Sequence, residues 1–159
     1  MRRFVPAALL IACACGYRFT APSGPLPQGI RAVQAPVFGN VTPEPNAEQL
    51  FTQALREQLI RSGTLGGDAA EARIEGTVLA VSQAPMLASA GRVTYRLSAT
   101  VELRLLRDGA VLGATQVSGE EDVLSGTDIT GTETNRAAGL RRLADTLMRE
   151  GYERLCTGW

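Results

Sequence analysis

The chain contains no lysine and no histidine. Without lysine it has neither a P-loop lysine for a nucleotide phosphate nor a Schiff-base amine. Without histidine, a Ser-His-Asp triad and a His-ligated zinc are both excluded. Its three cysteines are too few for a four-thiolate metal site. An excess of one charge is also missing. All 16 cations are arginine, and they balance 16 acidic residues, so the basic footprint of a nucleic-acid binder is absent. These absences point away from most enzymes, and no metal, cofactor or nucleic acid is expected. What remains is 159 residues, 45% of them hydrophobic. That is a single domain's worth of chain, too apolar to be disordered.

The N-terminus reads as an export signal. Met1-Arg2-Arg3 is a short positive region, and Phe4 to Ala12 is an apolar run of nine residues. At 1.5 Å per residue this run is too short to cross a hydrocarbon core of about 30 Å, but it fits a signal peptide. Leu10-Ile11-Ala12-Cys13-Ala14-Cys15 then follows. A large aliphatic at −3 and a small residue at −1 before cysteine form the cleavage pattern of a bacterial lipoprotein, whose thiol receives diacylglycerol. Residues 1–14 are therefore expected to be a signal peptide, cleaved before Cys13 or Cys15. The residue after either cysteine is small, with no Asp to hold the protein at an inner membrane. Anchoring by two or more acyl chains would be stable. Cys156 is the remaining thiol. In an oxidising periplasm it either pairs with whichever of Cys13 and Cys15 is spare or stays a lone thiol.

Residues 16–29 carry Pro22, Gly24, Pro25, Pro27 and Gly29, the composition of a linker. Ile30 to Phe38 reads as a first strand, ended by Gly39-Asn40 and Pro43. Asn46 with Gln49 three residues on is a capping-box pattern. It opens a helix with Leu50, Phe51, Ala54, Leu55 and Leu59 on one face, and Gly63 stops it. Ile74 to Val81 is the second strand, ended by Pro85. From Arg92 to Arg107, Val93, Tyr95, Leu97, Ala99, Val101, Leu103 and Leu105 alternate with polar residues. That pattern predicts a long strand with one face on a core and the other wet. Asp108-Gly109 is a hairpin turn, and Ala110 to Val117 returns as strand four. Thr130 with Glu133 suggests the cap of a second helix, lined by Ala137, Leu140, Ala144, Leu147, Met148 and Leu155. Glu120, Glu121 and Asp122 form the one dense acidic cluster and read as solvated turn residues of a polar loop or a weak cation site rather than an acid/base pair. The expected fold of residues 30–159 is α+β in the order β-α-β-β-β-α. It is a two-layer sandwich of a four-stranded, mostly antiparallel sheet with two helices on one face.

Several segments resemble the LPS-assembly lipoproteins of the LptE family. These are Cys15-Gly16-Tyr17-Arg18-Phe19, Leu26-Pro27-Gln28-Gly29-Ile30, and Ala35-Pro36-Val37-Phe38-Gly39-Asn40-Val41-Thr42. The last is similar to the family's Pro-x-Phe-x-Asn-x-Thr segment. Phe51 to Leu59 and the helix around Ala138 to Leu147 complete the likeness, and the order of elements agrees over essentially the whole mature chain. The family places its lipidated cysteine directly before Gly-Tyr, which favours Cys15, whereas the cleavage-site residues favour Cys13.

The resemblance implies a non-enzymatic outer-membrane lipoprotein. Such a protein plugs an LptD-like β-barrel and helps place lipopolysaccharide in the outer leaflet. A polar strand face would suit a polar barrel lumen. Arg92 and Arg96, one i+4 step apart on that face, are the candidate ligands for lipid A phosphates, since a guanidinium binds an oxyanion bidentately. The alternative is a periplasmic regulatory lipoprotein of a peptidoglycan synthase or another envelope complex. A linker of fourteen residues spans less than about 50 Å, which favours a partner at the membrane.

Overall fold

The alternation from Arg92 to Arg107 forms one 16-residue strand in the computed structural model, which describes residues 26–89 and 91–157. In this strand Leu97, Ala99, Val101, Leu103 and Leu105 are buried, while Ser98, Thr100, Glu102 and Arg104 are not. It pairs antiparallel with Ala72–Ser89 on one side and Ala110–Leu124 on the other. Asp108 and Gly109 between the last two both have positive φ, 50° and 81°, as a two-residue type I′ hairpin requires.

Both flanking strands outrun their expected ends. The strand expected to end at Pro85 continues to Ser89, and the one expected to stop at Val117 continues to Leu124. Beyond Val78 the former has a neighbour on one side only, and a register shift follows Pro85. A missing N–H is tolerable at such an edge. Residues 118–124 look like a loop only in isolation, because a 16-residue partner offers them a full ladder.

The expected strand Ile30–Phe38 shrinks to two residues, and the Gly39-Asn40 pair expected to end it is itself a second short strand. Val33–Gln34 (β1) and Gly39–Asn40 (β2) lie one after the other, both parallel to Ala72–Ser89 (β3). Pro36 between them cannot donate to a ladder. The sheet therefore has five strands rather than four, in the order β1-β3-β4-β5 with β2 also on β3. Here β4 is Arg92–Arg107 and β5 is Ala110–Leu124. The last residues of the expected linker belong to the fold. Leu26 and Ile30 are each 2% exposed, with a 3-10 turn at Pro27–Gly29 between them. The signal peptide, Cys13 and Cys15 lie outside the described residues.

Helix α1 spans Ala47–Ser62 and helix α2 spans Ile129–Thr157. Gly63 ends α1 in the left-handed conformation, as expected, with its N–H on Ile60 O. The two caps differ from expectation. Asn46 is left-handed at φ 60° and makes no side-chain cap, so the capping box is not formed. At α2, Asp128 Oδ1 accepts the Gly131 N–H at 2.6 Å, and the Thr132 hydroxyl donates to Asp128 O. The cap is therefore two residues ahead of Thr130.

Phe51, Leu55 and Leu59 of α1 and Leu140, Leu143, Leu147 and Tyr152 of α2 share one core with the inward residues of β3, β4 and β5. Each such side chain contributes about 1.5–3 kcal/mol by leaving water. The α+β two-layer sandwich is the fold. Helix α2 sits close to the sheet because two of its three glycines face it. A Cβ on Gly139 would meet Val123 at 2.2 Å, and one on Gly151 would meet Leu103 at 2.5 Å. The helices run in the same sense. Glu44 before α1 pairs with Arg136 early in α2, and Thr64 after α1 bonds Tyr152 late in α2.

Candidate functional site

The segment Ala35–Thr42 is knotted into the fold by side chains. The Phe38 ring covers Gly76, where a Cβ would lie 2.3 Å from it. The Phe38 N–H donates to the buried hydroxyl of Thr52 at 2.9 Å. Asn40 donates from Nδ2 to Glu44 O and Glu48 Oε2, and its Oδ1 accepts from the N–H and hydroxyl of Thr42. Arg56 donates twice to Ala35 O, at 2.9 and 2.7 Å. The polar groups of this motif are thus occupied in joining β2 to α1.

The face of the sheet away from the helices is open. Cross-strand rows run over it: Leu87–Thr94–Leu124, Ala84–Arg96–Asp122, Ser82–Ser98–Glu120 and Ala80–Thr100–Ser118. Thr100 and Ser118 share a hydrogen bond at 3.0 Å, and Arg73 pairs with Glu75 at 2.8 Å farther along. At the β3–β4 hairpin end this polar face gains an apolar rim. There Leu87 is 66% exposed and Leu124 43%, with Met86 and Ile129 also exposed nearby in the chain.

The two arginines singled out from the sequence share this face but differ in state. Arg92 is exposed, opposite Ser89 at the hairpin end, and makes no ion pair among the described residues. Arg96 is taken. Its Nε and Nη2 donate to the two oxygens of Asp122 at 2.8 and 3.0 Å, and Nη1 lies 3.1 Å from Glu120. The hydrogen bond from Arg96 holds the Asp122 carboxyl below its usual range. The acidic triad is strand, not loop, and alternation divides it. Glu120 and Asp122 face the open side, while Glu121 turns to α2 and pairs with Arg142 at 2.6 Å. These carboxylate partners of Arg96 were missed because the return strand was read as too short. The signal for them was the length of β4, which a hairpin partner has to match.

Cys156 is half-buried near the other end of the sheet. It lines a cavity of about 380 Å³ with Pro27, Gln28 and Leu112. Burial pushes its thiol pKa up, so it is a poor nucleophile. The two cysteines expected to carry lipid or to pair with it are outside the described residues.

Residues 30–155 match the family model for LptE, lipopolysaccharide assembly. The chain belongs to the LptE family. Solved structures repeat the fold at low identity. A candidate lipoprotein from Caulobacter crescentus CB15 is 17% identical, with 77% of this chain and 89% of that one covered and a TM-score of 0.57. Protein XCC0632 from Xanthomonas campestris is 14% identical over 84% and 91%, with a TM-score of 0.56. A minor lipoprotein from Acinetobacter baumannii is 10% identical over 81% and 92%, at 0.50. No curated protein matches the chain in sequence.

For an LptE-family chain the division of labour is informative. The Pro-x-Phe-x-Asn-x-Thr stretch, which carries much of the likeness in sequence, builds the fold. The open sheet face and its hairpin rim are left uncovered for contact.

Proposed function

We propose that this chain is a lipid-anchored lipoprotein of the outer membrane, attached through Cys13 or Cys15. It seats in an LptD-like β-barrel and helps place lipopolysaccharide in the outer leaflet, with no catalysis of its own. The observation that carries this reading is the uncovered sheet face. It is broad, hydrogen-bonding and close to charge-balanced, which suits a polar barrel lumen, and the chain belongs to a lipopolysaccharide-assembly family. In an outer-membrane extract the full-length chain should co-purify with a large β-barrel. Purification of the chain alone would overturn the reading. Labelling with a palmitate analogue should mark the wild type and be lost in Cys13→Ser, Cys15→Ser.

Lipopolysaccharide binds, in this reading, at the hairpin end. Arg92 supplies a free guanidinium for a phosphate, and Leu87 and Leu124 supply the apolar contact for an acyl chain. Arg96 joins only by exchanging Asp122 and Glu120 for the phosphate. Arg92→Ala with Arg96→Ala should weaken lipopolysaccharide binding at least about tenfold, and added salt should weaken it further in the wild type. Unchanged binding at low salt would leave both as a solvated strand face.

A further inference from the structure

The helix layer carries a second cationic feature, on the side of the molecule away from the open sheet face. Because α1 and α2 run in the same sense, their C-terminal halves lie side by side. Between them, a cavity of about 330 Å³ is lined by Gln58, Arg61, Asp145, Thr146 and Arg149. Seven of the thirteen arginines among the described residues are committed elsewhere. Arg73, Arg96, Arg107, Arg136, Arg142 and Arg154 are ion-paired, and Arg56 is bonded to a carbonyl. Arg61 and Arg149, which meet at this cavity, make no ion pair among the described residues.

Arg61 is also held in place. Its Nε and Nη2 donate to Gln58 Oε1 at 3.4 and 3.1 Å, and Gln58 is only 7% exposed. A buried amide thus fixes one edge of the guanidinium, while Nη1 makes no hydrogen bond among the described residues. The lining offers two guanidinium groups and the hydroxyl of Thr146 against one carboxylate, Asp145, so the lining as a whole carries a net positive charge. A preorganised guanidinium fork with a second cation and a hydroxyl donor is the chemistry that recognises a tetrahedral oxyanion.

We propose that this groove between α1 and α2 binds a phosphate-class anion, separately from any ligand at the β3–β4 hairpin. The phosphate could sit on a lipid headgroup at the membrane surface or on a soluble molecule, and the recognition chemistry is the same. Both guanidinium groups are exposed, so the binding is weak and strongly screened by salt.

The test uses the full chain in a neutral detergent at low salt. Inorganic pyrophosphate is titrated while arginine side-chain N–H signals are followed by nuclear magnetic resonance. A saturable shift at Arg61 and Arg149 is expected. Arg61→Gln with Arg149→Gln should weaken it about tenfold or more, Asp145→Asn should tighten it, and Arg104→Ala, on the open sheet face, should leave it unchanged. Circular dichroism checks that the exposed substitutions keep the fold. No saturable shift in the wild type, or equal binding by the double variant, overturns the proposal. Because Asp145→Asn predicts a gain, general damage cannot mimic that result. A parallel titration with phosphatidylglycerol-doped micelles separates the sources. A stronger response to the micelles assigns the groove to lipid phosphate, and a stronger response to pyrophosphate assigns it to a soluble one.

Discussion

In the meander, β3, β4 and β5 pair along their length from Arg73 to Leu124, with three local shifts of register. In the stretch from Leu26 to Asn46, the ladder is limited to the two-residue strands β1 and β2 and single backbone bonds such as Val41 N–H to Val78 O, and side chains supply further joints. The first region is a repeating object, in which any one ladder bond resembles the next. The second is a set of unlike joints: an asparagine making four hydrogen bonds to three residues, a threonine hydroxyl under Phe38, an arginine on Ala35 O. A repeating region tolerates change on its wet face and fails where its dry face is hollowed. A jointed region fails at whichever joint is removed.

The largest effect is expected in the meander's core. Leu97 is 1% exposed, and Leu97→Ala should cost about 2–5 kcal/mol, seen as a marked fall in melting temperature. Thr100→Ala, on the open face of the same strand, should stay within about 0.5 kcal/mol. Equal losses from the two would contradict the assignment of faces.

Asn40→Ala should come next. It removes four hydrogen bonds at a partly buried joint, with an expected cost of about 1–3 kcal/mol. Because β3, β4 and β5 do not depend on that joint, hydrogen exchange should quicken over residues 33–48 and stay slow in β4. Uniform quickening across the sheet would erase the distinction between the two regions.

The smallest effect is electrostatic. The Asp122 carboxyl is depressed in the folded state by Arg96. Its contribution to stability is therefore complete above the unfolded carboxyl value of about 3.9 and is lost as pH falls through the lower folded value. Asp122 is exposed, so the contribution is small. Melting temperatures of the wild type and Asp122→Asn should differ near neutral pH and converge at strongly acid pH. A difference that persists there would mean that the pairing with Arg96 is not its source.

The same contrast decides what could be read from the residues alone. Period two is visible wherever a ladder repeats, so β4, its hairpin at Asp108-Gly109 and the inward leucines were legible. Pro85 and the acidic triad concealed the ends of β3 and β5. Breaker residues and charges carry a local signal, whereas strand length is set by the partner. Asn46 stands at the start of α1 but its left-handed backbone leaves its side chain off the cap, and at α2 the cap falls to Asp128 rather than Thr130. Arg92 and Arg96 were rightly placed on one face. Which of them is free depends on β5, twenty-odd residues away in sequence, and no local pattern could report it.

The burial of Leu26 and Ile30 has a mechanical consequence. A load applied through the chain preceding Leu26 does not stop at a slack linker but enters the core directly. It meets β1 and β2, whose short parallel pairings with β3 give way one after another rather than together. The bonds from Arg56 to Ala35 and from Phe38 to Thr52 lie between β1 and β2 in that line, and the Asn40 bonds to Glu44 and Glu48 follow β2. Past them the force would have to pull α1 off the core. The N-terminal strip therefore works as a peelable fuse, which yields under tension while the meander and α2 keep their shape.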